Sequence, residues 1–153
     1  MKKDINFLPV EGVQVAIARQ ENELGQHDWR VFILNQNDAP ITNVFVTSKG
    51  YGQKDAEEQK TSTLRHFFAE IKPGAHETVE TIMPDVFHLN NEYWVSYFIG
   101  NQIFDKKFIF VPDSIIEENL ERCRYWGWKE FYTHNFLQVC GLWYIVFGGS
   151  TGR

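Results

Sequence analysis

Residues 92–111 read Glu92-Tyr93-Trp94-Val95-Ser96-Tyr97-Phe98-Ile99, then Gly100-Asn101, then a second apolar run from Gln102 to Val111. Two aromatic-rich runs separated by a Gly-Asn dipeptide signal a hairpin, because both turn positions tolerate positive φ. Side chains alternate across a strand, so Trp94 and Phe98 share one face while Tyr93, Val95, Tyr97 and Ile99 share the other. Rings of this size suit a pleated, half-buried surface, and most of them belong in a core.

Upstream, the same pattern repeats at short intervals. Val13, Val15 and Ile17 alternate with Gln14, Ala16 and Ala18. Residues 29–34 are apolar on both faces after Arg30, as in a central strand. Asn35-Gln36-Asn37-Asp38-Ala39-Pro40 is strong turn chemistry. Residues 41–48 give a strand with Val44 and Val46 on one side and Phe45 on the other. Residues 49–60, polar and opened by Gly50 and Gly52, are expected to be a mobile loop at the sandwich edge. Strands resume at residues 62–71 and 76–82, the latter with Val79 and Ile82 as apolar members, and Lys72-Pro73-Gly74-Ala75 turns between them. About seven strands at this spacing, with no helical period between them, predict an all-β antiparallel β-sandwich of immunoglobulin-like architecture. The Cys…Trp…Cys pattern of antibody domains is absent. Downstream, Pro112-Asp113-Ser114 followed by Ile115, Ile116, Asn119 and Leu120 predicts a short helix or turn. The domain is expected over residues 1–122, and residues 123–153 read as an aromatic C-terminal extension without independent folding.

Composition agrees with one compact domain: 153 residues, 43% hydrophobic, 23% charged, and an aromatic share of 16%. The net charge of -5, from 15 basic and 20 acidic residues, has the wrong sign for a dedicated nucleic-acid binder. No apolar segment follows Met1-Lys2-Lys3-Asp4, and the apolar core of residues 139–147 is too short to span a bilayer as a helix, which needs about 20 residues. Cys123 and Cys140 read as reduced thiols, and a cytoplasmic location is expected.

Chemistry-bearing motifs are few. Lys60, Thr61, Ser62, Arg65 and His66 bring two cations, hydroxyls and an imidazole together in sequence, a candidate anion or ligand site. Strand alternation, however, puts Lys60, Ser62, Leu64 and His66 on one face and Thr61, Thr63, Arg65 and Phe67 on the other. A phosphate-cradling glycine loop is absent, as is Gly-x-Ser-x-Gly. His27, His66, His76, His88 and His134 never occur at metal-ligand spacing, so neither a metal nor any other cofactor is called for. Glu57-Glu58 and Glu117-Glu118 point apart and solvate the surface. Asp105 and Lys107 share a strand face and are placed to pair. In the extension, Trp126, Trp128, Tyr132 and Trp143 are candidates for an interaction surface.

Met1-Lys2-Lys3-Asp4-Ile5, Lys49-Gly50-Tyr51, the segments at residues 60–66 and 89–95, and Phe104-Asp105-Lys106-Lys107-Phe108-Ile109-Phe110 form a series. It resembles a small family of Bacteroidetes proteins that often carry the name phenylalanyl-tRNA synthetase subunit alpha. The resemblance covers roughly residues 1–120, and the sequence departs from it from Cys123 onward. It implies a translation-associated role. A class II synthetase core is larger than this whole chain, and a net negative charge opposes tRNA binding, so literal synthetase activity is not expected. The residues themselves point first to a non-enzymatic interaction module. Its partner is another protein or a second copy, met through a sheet edge or through the aromatic extension.

Overall fold

The computed structural model describes residues 10–21, 23–119, 121–122, 143–147 and 149–151. Among them the chain forms β1 (Val13–Glu21), β2 (His27–Asn35), β3 (Ile41–Lys54), β4 (Glu57–Lys60), β5 (Leu64–Ile71) and β6 (His76–Thr81). β7 (Asn90–Ile99), β8 (Gln102–Phe110), β9 (Glu121–Arg122), β10 (Trp143–Phe147) and β11 (Gly149–Thr151) follow. They make a five-stranded sheet in the order β6-β2-β1-β10-β9 and a six-stranded sheet in the order β11-β8-β7-β3-β4, with β5 also on β3. Every pairing is antiparallel. The all-β sandwich expected from alternation is the fold.

Its core is what the two inner faces supply. Val15, Ile17, Val31 and Ile33 from one sheet form a single buried cluster with Val44, Val46, Tyr93, Val95 and Phe108 from the other. Fully burying side chains of this kind contributes about 1.5–3 kcal/mol each, which is why strict alternation fixes register so firmly. Tyr93 meets Phe110 edge-on at 6.0 Å, and Tyr97 stacks on Phe104 at 5.1 Å.

Asn35, fully buried at the end of β2, ties two turns together. Its Nδ2 lies 3.0 Å from the carbonyls of Ala39 and Ile71, and its Oδ1 accepts from Asn37 N and Nδ2. Its backbone binds Gly74 and Ala75. One amide thus fastens the β2–β3 turn to the β5–β6 turn, and leaving those groups unpaired inside the protein would be costly.

One expectation is corrected. Residues 49–60 are not a loop: β3 runs on to Lys54 and β4 pairs with it through a two-residue turn at Asp55 and Ala56, both at positive φ. The short helix or turn expected after Pro112 is present as a single 3₁₀ turn, Glu117–Asn119. A second such turn, Pro84–Val86, precedes β7. The β7–β8 hairpin expected at Gly100-Asn101 is present, with Gly100 at φ +59°. The strands expected upstream of Val111 are all present, and β4, β9, β10 and β11 are additional. β10 lies between β1 and β9, and β11 lies on β8. No helix among the described residues is long and apolar enough to cross a membrane.

Candidate functional site

The long strand β3 is paired along one side by two short strands in succession. Ile41 to Ser48 face Ile71 to Leu64 of β5, and Tyr51 to Lys54 face Lys60 to Glu57 of β4. β4 and β5 therefore form one margin of the six-stranded sheet. On its outer face Phe45 lies directly opposite Phe67, with ring centroids 4.9 Å apart. These rings are 52% and 54% exposed. Trp94 of β7, opposite Thr47 and so diagonal to Phe45, is 38% exposed. Lys107 sits 4.4 Å from the Trp94 ring centroid, and the indole N–H donates to Asp105. Asp105 and Lys107 share a face as their spacing requires, and both serve this tryptophan. The result is an aromatic strip across three neighbouring strands.

Behind the same margin, between the sheets, lies a cleft of about 330 Å³ lined by Ser48, Leu64, Glu80, Ile82, Met83 and Tyr93, with Asp85 at its side. A β-bulge aims its main charge. The β2–β6 register shifts between Val31 and Phe32, so Glu80 opposes the inward Val31 while Thr78 opposes the outward Phe32. The inserted residue lets Val79 and Glu80 both face inward, which plain alternation forbids. The Glu80 side chain is 14% exposed and lies 3.4 Å from His66 Nε2, an ion-pair distance without hydrogen-bond geometry. The Tyr93 phenol lies near the same carboxylate. Burial, and then that carboxylate, hold the phenol well above its ordinary pKa because ionising it there would create a second buried negative charge. Glu80 thus reaches from the five-stranded sheet to two strands of the other.

The five residues proposed from sequence do not converge. Lys60 pairs with Glu58 at 3.2 Å in open solvent. The Thr61 hydroxyl accepts from Gly50 N at 2.7 Å and donates to Ser62 O, a structural tie between β3 and the link to β5. Ser62 lines the cleft. Arg65 opposes the outward Thr47, while His66 opposes the buried Val46 and turns inward. On the outer surface a wider concavity of about 610 Å³ includes Lys49, Tyr51, Lys60 and Glu92. Lys49 lies 3.6 Å from the buried Glu92, and Tyr51 donates to Glu92 at 3.4 Å. Burial, with Glu92 second, raises the Tyr51 pKa. Each lysine of this concavity therefore already has a carboxylate beside it.

Trp126, Trp128 and Tyr132 lie outside the described residues, and Trp143 is described only as backbone, opposite Gln20. Among the described residues no group of three His, Cys, Asp or Glu side chains could hold a metal ion. Sequence reasoning passed over Glu80 and the Phe45–Phe67 pair. For the phenylalanines a signal existed: both sit opposite to the inward phase of their own strands. Compared with protein-family models, curated proteins and solved structures, the chain matches none of them.

Proposed function

We propose that the chain is a non-enzymatic, immunoglobulin-like interaction module of the cytoplasm that takes a protein partner along the β5 margin of its six-stranded sheet. One observation carries the reading. Phe45 and Phe67 stand half-exposed as a cross-strand pair beside an eight-residue strand that, among the described residues, is paired on one side only. Half-exposed rings leave about half of their apolar area in water, and an unpaired strand edge is a template for another chain. The absence of a nucleophile motif and the dispersal of the Lys60–His66 set across two faces favour binding over catalysis.

A photo-crosslinking residue placed at position 67 in the source cell tests this. A discrete adduct is expected from position 67 and none from position 78, an exposed threonine on the outer face of the other sheet. No adduct from 67, or equal adducts from both, would remove the reading.

A further inference from the structure

The chemistry of the partner is written into the same margin. Between residues 57 and 86, which hold β4, β5, β6 and their links, there are six carboxylates (Glu57, Glu58, Glu70, Glu77, Glu80 and Asp85) against three cations (Lys60, Arg65 and Lys72). This stretch therefore holds three of the chain's five net negative charges. Of the three cations, Lys60 is already held by Glu58. A strand added beside β5 would send alternate side chains to opposite faces. Those on the outer face meet Phe67. Those on the inner face enter the cleft between Leu64, Met83 and the carboxylates of Glu80 and Asp85.

We propose that β5 receives an extended basic segment by strand addition, in antiparallel register, with an apolar side chain against Phe67 and a lysine or arginine three residues later, opposite Leu64. The spacing follows from the geometry. Leu64 and Phe67 are three residues apart and so on opposite faces, and an antiparallel guest meets Phe67 first. The aliphatic stem of the basic residue packs on Leu64 and Met83 while its charged end approaches Glu80 and Asp85. Main-chain pairing supplies affinity and the two side-chain positions supply selectivity. This inference rests on the interaction reading above and adds to it the identity of the guest.

The test titrates the ¹⁵N-labelled full chain with the acetylated, amidated hexapeptide Thr-Phe-Thr-Thr-Lys-Thr. Amide shifts centred on residues 63–68 are expected, and they vanish when alternate peptide nitrogens are methylated. Replacing the peptide's lysine by glutamate, or Glu80→Gln with Asp85→Asn in the protein, is expected to weaken binding about tenfold. The peptide substitution leaves the protein untouched, so that arm stands even if the double variant fails to fold. If the glutamate peptide binds as well as the parent, with shifts still on β5, the basic preference is wrong and the edge reading survives. If no peptide shifts β5, the edge reading falls as well. Shifts on β5 that grow with protein concentration alone would mean that a second copy takes the edge, which also overturns the basic guest.

Discussion

The outer faces of the two sheets treat the same kind of residue in opposite ways. On the five-stranded sheet Phe32 is 5% exposed, and Ala16, Ala18 and Leu34 are buried with it. On the six-stranded sheet Phe45 and Phe67 are each more than half exposed. A phenylalanine removed from water contributes to folding roughly in proportion to the apolar area it buries, so Phe32 contributes about twice as much as either ring of the exposed pair. Composition counts all of these rings alike. Burial separates those that hold the sandwich together from those left half in water.

The largest effect is expected where this comparison is most direct. Phe32→Ala should cost about 3–5 kcal/mol, the range for emptying a buried aromatic site. Phe67→Ala should cost about 1–2 kcal/mol, since half of its ring is in water and the rest packs on Phe45 and its neighbours. Chemical denaturation of the two variants measures both. Equal losses would mean that the Phe67 ring is part of the core and that the six-stranded sheet has no spare face.

The turns of the six-stranded sheet sharpen the point next. At the centre, Gly100 sits at φ +59° with no heavy atom within 4 Å of where a Cβ would stand. Gly100→Ala should therefore lose only backbone preference, about 1–2 kcal/mol, or roughly 3–6 °C in melting temperature for a chain of this size. At the margin, Ala56 is held at φ +68° in the β3–β4 turn. Ala56→Gly should relieve that, and the gain nets to about 0.5 kcal/mol after glycine's own entropy is charged against it. Calorimetry that found the two changes shifting melting in the same direction would contradict the turn geometry.

These elements also explain how far the fold could be read from the sequence. The β7–β8 hairpin was legible because turn chemistry and period-2 alternation agree there. β4, Glu57-Glu58-Gln59-Lys60, was not, since it has no apolar member. It is a strand because β3 extends past Ser48 and the left-handed Asp55-Ala56 turn folds the chain back on it. The site divides in the same way. That His66 and Leu64 share a face opposite to Arg65 and Phe67 follows from alternation alone. That Glu80 joins His66 inside does not, because a bulge breaks the alternation at Val79, and nothing in Thr78-Val79-Glu80-Thr81 announces one. Register shifts are set by how the paired strand twists across the sheet, which is information from distant residues.

The smallest effect concerns how dry the covered face is. His76 opposes Leu34 in register, so it lies on the outer face of the five-stranded sheet, and its ring meets Phe32 edge-on at 5.7 Å. Burial penalises the charged imidazolium and holds the His76 pKa below its ordinary value of 6.5. As pH falls past that ordinary value, the unfolded chain takes up a proton that the folded chain refuses, and linkage then favours unfolding. The contribution of His76 to stability is therefore complete above pH 6.5 and is lost as pH falls through the lower folded-state value. His76→Gln should flatten this part of the profile, so that the wild-type chain loses ground to the variant on acidification. Denaturation midpoints from pH 8 to pH 5 read the difference directly. If the wild-type chain gained on the variant instead, the imidazolium would be welcome beside Phe32. Water or a counter-charge would then reach that face, and the contrast between a sealed sheet and an open one would shrink to Phe45 and Phe67 alone.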